Sequence, residues 1–257
     1  MEQRFMFNAV ADDYDRYRPG YPDALFADLA AAARLDSGDR ILELGCGAGQ
    51  ATRGLAEFGV PLLALDPGPA LIRAAAARVG QAPHVAFAET TFEAWPLQSQ
   101  AFKLVAAAQA WHWIDPTVRF TKAAHALTPD GMLAVMGNVP MPASPELTAA
   151  CEPLFLRLAP HMWAPPPEVW YLPGAEFEAQ FRADPRFGPV LHKAYPYTRL
   201  HTRESFEGLH RSFSYYQALP EDVREALICG VADTIEEMGG AFDMAYEAHL
   251  YMARRLP

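Results

Sequence analysis

The chain has 257 residues, of which 51% are hydrophobic and 20% are charged, as is typical of a globular protein long enough to bury a core. Its formal net charge of −10 argues against a nucleic-acid partner, because nonspecific binding to nucleic acid requires a basic surface. No apolar run reaches the length of a membrane span, and the N-terminus lacks the apolar segment of a signal peptide. We therefore expect a cytoplasmic protein without a membrane partner. The three cysteines, Cys46, Cys151 and Cys229, lack metal-ligand spacing, which predicts free thiols and no metal site.

The N-terminal part, residues 1–35, combines an aromatic segment with a helix. Residues 14–22 read YDRYRPGYP, and their Pro and Gly content predicts an ordered turn over 18–22, followed by an alanine-rich amphipathic helix. Arg18, together with Tyr14, is suited to closing over a carboxylate, because a guanidinium binds a carboxylate through two parallel hydrogen bonds. The alternative for Arg18 is a surface ion pair, which stabilises little.

Residues 36–139 alternate short apolar runs with helical stretches. The apolar runs are nearly continuous, as expected for strands that are buried on both faces. Asp115 and Pro116 have the residue types of a helix N-cap and first helical position. This alternation predicts an α/β fold with a doubly wound, mostly parallel sheet. The predicted strands are 40–44, 61–66, 84–88, 102–108 and 131–137, and the predicted helices are 48–58, 69–79 and 116–127.

The composition changes after residue 139. Residues 140–187 are rich in proline and aromatic residues, which excludes a central strand and predicts a cap or lid. Residues 188–257 are expected to complete the sheet and the cap, with a strand at 188–200, helices near 203–217 and 220–238, and a final edge strand at 241–254. Aromatic side chains are candidates for an apolar acceptor pocket, although core packing is the alternative for each one. These are Trp163, Trp170, Tyr171, Tyr215 and Tyr216.

The most informative motif follows the first predicted strand. Residues 40–49 read RILELGCGAG, with alternate glycines at Gly45, Gly47 and Gly49. Glycine lets the backbone turn sharply and approach a ligand closely, and the helix start that follows offers unpaired N–H groups. The spacing fits neither the dinucleotide fingerprint G-x-G-x-x-G nor a phosphate-binding P-loop. Asp66 ends the second predicted strand, where an acid can bind both hydroxyls of a ribose, so the motif predicts a nucleoside-containing cofactor.

The sequence resembles class I S-adenosylmethionine-dependent methyltransferases, specifically their type 11-like small-molecule branch. Glu43 and the three glycines form the acid-x-Gly-x-Gly-x-Gly motif of that family, and Asp66-Pro67 looks like its second motif. Residues 91–97 (TFEAWPL) look like the third motif. Residues 109–115 (QAWHWID) resemble the segment after strand four that borders the methionine part and the acceptor.

The resemblance implies a fold, a cofactor and a set of cofactor-binding residues. The fold is a Rossmann-like sheet of seven strands with the last strand antiparallel and a helical cap, and the cofactor is S-adenosyl-L-methionine. In relatives the N-terminal arm folds over the cofactor, the acid of the second motif binds the ribose, and backbone of the third motif meets the adenine edge. Cys46 is expected to act as a small residue that fits the turn, with a reactive thiol as the alternative. The implied cofactor-binding residues are Tyr14, Arg18, Glu43, Gly45, Cys46, Gly47, Asp66, Pro67, Thr91, Phe92 and Gln109.

The resemblance predicts a methyltransferase that acts on a small molecule by direct nucleophilic displacement, as a monomer or homodimer. His112 is the candidate catalytic residue, because an imidazole titrates near neutral pH and can remove a proton from an acceptor. The alternative is that His112 only shapes the pocket, since proximity and alignment can supply much of the rate. Three other functions stay open. They are an NAD-type Rossmann oxidoreductase, disfavoured by the glycine spacing, a noncatalytic cofactor-binding protein, disfavoured by the intact motifs, and a methyltransferase for a macromolecular target such as RNA or protein, where the acidic pI disfavours RNA.

Overall fold

A computed structural model describes residues 16–163 and 170–257 of the chain. Tyr14, one of the expected cofactor-binding residues, lies outside the described residues. The strands are β1 (Ile41–Leu44), β2 (Leu62–Asp66), β3 (Val85–Glu89), β4 (Phe102–Ala108), β5 (Leu127–Pro140), β6 (Leu191–Thr202) and β7 (Ala241–Arg254). The α-helices are α1 (Asp23–Ala33), α2 (Thr52–Ala56), α3 (Pro69–Val79), α4 (Arg119–Ala126), α5 (Pro145–Leu158), α6 (Glu176–Ala183), α7 (Arg203–Arg211), α8 (Ser214–Gln217) and α9 (Glu221–Glu237).

The seven strands form one sheet in the order β3-β2-β1-β4-β5-β7-β6. Strands β1 to β5 pair in parallel, and the last strands are antiparallel, which confirms the predicted fold. The chain passes from β1 outwards to β2 and β3 and then returns to the other side of β1 with β4. This reversal is the topological switch point, where open α/β sheets bind ligands at the carboxyl ends of the strands.

The central strands are buried on both faces, as their continuous apolar runs predict. Every residue of β1 is buried, including Glu43, and in β4 only Lys103 and Ala108 are partly exposed. Helices cover such a sheet, so alternation between an apolar and a polar face does not arise. Close packing of α1 against α2 places Phe26 where a side chain at Gly54 would stand.

The predicted edge strand is wrong, because β7 lies between β5 and β6. Residues 248–253 of β7 are all buried, as an interior strand requires. Strand β6 occupies the edge instead, and most of its residues are exposed or half-buried. Pro196 suits this position, because proline lacks the N–H that a neighbouring strand would bind.

Three predicted boundaries also differ from the structure. Helix α4 begins at Arg119 and not at Pro116, although the Asp115 side chain accepts hydrogen bonds from the backbone N–H and hydroxyl of Thr117, as the predicted N-cap would. Helix α2 is confined to residues 52–56 of the predicted 48–58, since the glycine loop occupies the positions before it. Strand β5 extends over 127–140, beyond the predicted 131–137.

The chain divides into two compact units. The first unit comprises residues 19–139, 170–195 and 248–257, and its core is built from buried side chains of the sheet and of helices α4 and α6. The second unit includes residues 16–18, 140–163 and 196–247 among those described. In it, α9 packs against α5 and α7 around a small apolar core. None of the helices in the described ranges is long and apolar enough to cross a bilayer.

Two strand leucines provide a matched test of the sheet. Leu104 of β4 is 0% exposed, whereas Leu191 of β6 is 58% exposed. We expect Leu104→Ala to lower the free energy of unfolding by about 2–5 kcal/mol, because it leaves a cavity in the packed core. Leu191→Ala should change the free energy of unfolding by no more than about 0.5 kcal/mol. Urea unfolding followed by circular dichroism measures both, and equal effects would contradict the placement of β4 at the centre and β6 at the edge.

Candidate functional site

Four parallel strands end side by side at one edge of the sheet. Leu44 of β1 is paired with Leu65 of β2 and with Ala107 of β4, and Asp66 is paired with Glu89 of β3. The segments that follow these strands therefore leave the sheet at the same edge. They carry the predicted site residues of the first unit: Gly45, Cys46, Gly47, Pro67, Thr91, Phe92, Gln109 and His112.

The glycine loop after β1 adopts a conformation that requires glycine. Gly45, Gly47 and Gly49 have φ of +68°, +55° and +86°, which L-residues with side chains rarely adopt. A Cβ atom on Gly45 would lie 2.5 Å from the Cβ of Ala110, in the segment after β4. A Cβ atom on Gly49 would lie 2.9 Å from the Cα of Ala75 in α3. The loop is thus packed tightly on both sides, and its backbone is held by hydrogen bonds from the N–H of Cys46 to the carbonyl of Leu65 and from the N–H of Gly49 to the carbonyl of Cys46.

Asp66 joins the loops that follow β1 and β2. Its carboxylate accepts hydrogen bonds from the backbone N–H of Gly47 at 2.9 Å and of Gly68 at 2.8 Å. Asp66 is only 6% exposed, and this burial raises its pKa, while the two N–H groups oppose the shift. A carboxylate has about four acceptor sites. Two bonds to the backbone therefore leave acceptor capacity for hydroxyl donors.

Glu43 is a fully buried carboxyl group in the middle of β1. Its oxygens have no partner within hydrogen-bond geometry among the described residues. Loss of hydration raises the pKa of Glu43 to about 8, and the charge of Asp66 adds to this, while the nearby Thr52 hydroxyl lowers it by less than burial raises it. Glu43 is consequently protonated at neutral pH and can donate a hydrogen bond.

The side chains of three predicted residues are engaged within the protein. Phe92 is buried and stacks on Trp95, so its ring belongs to the core. The hydroxyl of Thr91 accepts a hydrogen bond from the N–H of Ala94, which closes the turn after β3. Cys46 is also buried, and burial raises the pKa of its thiol well above the usual value. This thiol is inert, in agreement with Cys46 as a small turn residue.

Gln109 begins the segment after β4 in a left-handed conformation, with φ of +52°. Its side-chain amide donates to the carbonyl of Asn138 at 2.7 Å, just beyond the β4–β5 pairing. The Asn138 amide in turn donates to the carbonyl of Gly20 at 2.9 Å, so it ties the segment before α1 to this edge. Sequence reasoning missed Asn138. The sequence pattern that could have pointed to Asn138 is a polar residue next to Gly137 after a run of apolar residues, at the end of the sheet that carries the other loops.

His112 lies in a short 3₁₀ helix, Trp111–Trp113, next to the end of β4. Its Nδ1 is 2.9 Å from the hydroxyl of Tyr171, so a hydrogen bond joins two residues far apart in sequence. The imidazole also contacts the rings of Trp113 and Trp170, at centroid distances of 4.7 and 5.6 Å. His112, Trp113 and Trp170 are half-buried, whereas Trp111 belongs to the core. His112 is therefore surrounded by aromatic rings and remains partly exposed to solvent.

Arg18 belongs to the second unit. Its Nε donates to the hydroxyl of Ser212 at 2.8 Å, its Nη2 donates to the Ser212 carbonyl at 2.9 Å, and its guanidinium lies 4.2 Å from the ring centre of Phe213. Among the expected aromatic pocket residues, Trp163, Tyr215 and Tyr216 also belong to the second unit, whereas Trp170 and Tyr171 belong to the first. The structure thus brings Trp170 and Tyr171 to His112.

The residues of the first unit fit a nucleoside-containing cofactor. The glycine loop presents backbone without side chains at its three glycines, and Asp66 supplies a buried acceptor at the end of the neighbouring strand. Glu43 adds a buried carboxyl group that has no hydrogen-bond partner among the described residues. The motif, as its spacing predicts, carries no lysine of a phosphate-binding loop. This set favours a ligand that is recognised by its hydroxyl and amino groups.

The chain is similar in sequence to known methyltransferases. Residues 42–135 match the methyltransferase domain family. A methyltransferase from Mycobacterium bovis, itself uncharacterized, is 38% identical over 133 residues, which are 51% of this chain and 51% of that protein. An uncharacterized methyltransferase-like protein from Schizosaccharomyces pombe is 26% identical over 224 residues, 85% of this chain and 81% of its own. The matched region spans about half the length of the mycobacterial relative.

Solved methyltransferase structures share the fold. A protein from Anaeromyxobacter dehalogenans assigned as a type II methyltransferase superposes with a TM-score of 0.67 and 26% identity, over 94% of this chain and 99% of that one. Phosphoethanolamine N-methyltransferase 2 from Haemonchus contortus, solved with S-adenosyl-L-methionine, has a TM-score of 0.54 and 16% identity, over 98% of this chain and 57% of that one. The resemblance to class I methyltransferases is confirmed, and residues 42–135 match a methyltransferase domain.

The buried carboxyl of Glu43 makes the stability of the protein depend on pH. Because its pKa is about 8 in the folded state and about 4.5 when exposed, the folded state binds the extra proton between these values and loses stability as pH rises through them. Glu43→Gln removes this titration while keeping the shape. We expect the unfolding free energy of the unaltered protein to fall between pH 5 and pH 8 by on the order of 3 kcal/mol more than that of Glu43→Gln.

Urea unfolding at several pH values measures this difference. Glu237→Gln is the matched control, because it removes an exposed carboxyl at the end of α9 and should keep the pH dependence of the unaltered protein. Parallel pH profiles for Glu43→Gln and the unaltered protein would show that Glu43 is ionised in the folded state, against the assignment.

Proposed function

We propose that this protein is an S-adenosylmethionine-dependent methyltransferase that transfers a methyl group to a small-molecule acceptor by direct nucleophilic displacement. The observation that carries the proposal is the buried carboxylate of Asp66 beside the glycine loop, at the switch point of the sheet and within residues 42–135, which match a methyltransferase domain. Such a domain favours a methyltransferase over the NAD-type oxidoreductase, for which the glycine spacing is also unsuitable.

The cofactor-binding role of each residue follows from its chemistry. Asp66 would accept hydrogen bonds from the two ribose hydroxyls, since its carboxylate keeps acceptor capacity beyond its bonds to Gly47 and Gly68. The backbone at Thr91 and Phe92, at the end of the neighbouring β3, would meet the adenine edge. Gln109 and the glycine loop would contact the methionine part. When bound, the cofactor supplies an electrophilic methyl group on a sulfonium.

The acceptor would bind beside His112 and the aromatic rings that surround it. The half-buried rings of His112, Trp113 and Trp170 form a partly apolar surface, which suits an organic small molecule. The net charge of −10 disfavours an RNA acceptor. His112 would remove a proton from the acceptor as the methyl group is transferred. Its alternative role is to shape the pocket, because aligned reactants need no strong base when the acceptor is a carboxylate or a neutral amine.

Comparative support covers the cofactor side more fully than the acceptor side. The residues that match the methyltransferase domain, 42–135, include Glu43, the glycine loop, Asp66 and His112. A structure with the same fold was solved with S-adenosyl-L-methionine, which supports the same cofactor for this chain. The aromatic partner Tyr171 lies outside the matched range. Identifying the acceptor therefore requires an experiment, because similarity to other proteins does not name it.

Titration calorimetry tests the proposed cofactor. S-adenosylhomocysteine should bind, and NADH should not. Asp66→Ala should weaken S-adenosylhomocysteine binding by at least about 100-fold, because two charge-assisted hydrogen bonds to the ribose are lost, each of about 1.5–3 kcal/mol. The control is Asp39→Asn, since Asp39 precedes the opposite end of β1 and should leave the affinity unchanged. Binding of NADH alone, or full affinity in Asp66→Ala, would refute the cofactor assignment.

A screen for methylated products tests the acceptor and the role of His112. The protein is incubated with S-adenosylmethionine and a metabolite library, and methylated products are detected by mass spectrometry. If His112 is the base, His112→Ala should lower kcat by about 100- to 10,000-fold and leave S-adenosylhomocysteine affinity intact. His125→Ala, which removes an exposed histidine of α4, should retain full activity. A loss smaller than about 10-fold would return His112 to a pocket-shaping role.

A further inference from the structure

We propose that Tyr171 is a positioning residue for His112: its phenol oxygen accepts a hydrogen bond from Nδ1–H and so places the basic lone pair of the imidazole on Nε2. This inference rests on the proposed function, in which His112 removes a proton from the acceptor. The two rings are joined at 2.9 Å between Nδ1 and the hydroxyl oxygen, and they meet edge to face at 75°. In this assignment Nδ1 carries the proton of the hydrogen bond that Tyr171 accepts, and Nε2 carries the lone pair that takes a proton from the methyl acceptor.

Tyr171 can orient another side chain because it is itself held on three sides. It is 4% exposed, and its ring lies directly on the backbone of β5, where a Cβ atom at Gly137 would overlap it. Its backbone carbonyl accepts a hydrogen bond from the hydroxyl of Tyr251 in β7 at 3.1 Å. The ring of Phe177 packs against it at 5.8 Å between centroids. The phenol oxygen therefore has a fixed position relative to the sheet.

Arg119 braces the segments that carry both partners. It is 2% exposed, and its Nη1 donates to the carbonyl of Trp111, directly before His112, at 3.2 Å. Its guanidinium also lies 6.0 Å from the ring centre of Trp170, directly before Tyr171. Its Nη2 donates to the side chain of Gln180 in α6 at 2.5 Å. One buried cation thus contacts the 3₁₀ helix of His112 and the neighbour of Tyr171.

The tautomer is what separates a positioning role from simple packing. An imidazole that has lost its proton to solvent prefers the Nε2–H form, in which Nε2 is a donor and cannot act as a base. The phenol of Tyr171 can donate to Nδ1 of the Nε2–H form or accept from the Nδ1–H form. We assign it the acceptor role, so the tautomer is the readout that decides it. Tyr171→Phe keeps the ring, its packing on Gly137 and its contact with Phe177, and it removes only the phenol oxygen.

The first test uses nuclear magnetic resonance on the ¹⁵N-histidine-labelled protein without ligand. The His112 signal is assigned by its absence in His112→Asn. We expect the Nδ1–H tautomer in the unaltered protein and mainly the Nε2–H tautomer in Tyr171→Phe. Tyr195→Phe is the matched control, since it removes a phenol that is bonded to Asp28 instead, and it should leave the His112 signal unchanged. An Nε2–H tautomer in the unaltered protein, or an unchanged signal in Tyr171→Phe, overturns the proposal.

The second test uses Gly137→Ala, which keeps the phenol but displaces the ring. It should cause the same change of tautomer as Tyr171→Phe, and the Nδ1–H form in a folded Gly137→Ala protein would overturn the proposal. With an acceptor in hand, Tyr171→Phe should lower kcat by about 100-fold and alter its pH profile, with the KM for the cofactor unchanged. The tautomer is measured without cofactor or turnover, so a failure of methyl transfer refutes the proposed function and leaves the positioning result to be judged separately.

Discussion

The carboxylate of Asp66 is the interaction on which the organisation of the site depends. It accepts one hydrogen bond from the loop after β1 and one from the turn after β2, so the two loops at the switch point share a single anchor. This anchor is formed from the protein alone, with backbone donors that are fixed by glycine conformations. The loops therefore need little rearrangement to receive a ligand. Most of the conformational entropy that is lost when the loops become ordered is lost during folding and not during binding.

Much of the fold follows from the sequence because its central strands are short, apolar and separated by clear helical stretches. Strands β1 to β4 were predicted to within one residue at each end, and α3 was predicted at its observed bounds. The interior position of β7 was not predicted, because the order of strands in a sheet depends on long-range pairing. Its residues 241–247 alternate in exposure as an edge strand would, and only the following residues are continuously buried.

The candidate site divides in the same way. Alternate glycines and an acid at a strand end are local signals, so Gly45, Gly47 and Asp66 could be predicted as site residues from the local sequence. The hydrogen bond between His112 and Tyr171 joins residues 59 positions apart, and no local pattern encodes it. Asn138 was missed for a related reason, because its importance lies in bonds to Gln109 and to the segment before α1. A positive φ at Gln109 is also invisible in the sequence, since glutamine is not a residue type that favours it.

The close approach of Gly45 and Ala110 limits how this protein can evolve. A methyl group at position 45 would lie 2.5 Å from the Ala110 side chain, so the two positions share one small volume. A compensating Ala110→Gly change would remove that overlap but would leave a φ of +68° at position 45, which disfavours any residue with a side chain. Neither a single change nor the compensated pair gives a route away from glycine. Sequence change is thereby directed to the surfaces that surround the loop, while the loop itself stays the same.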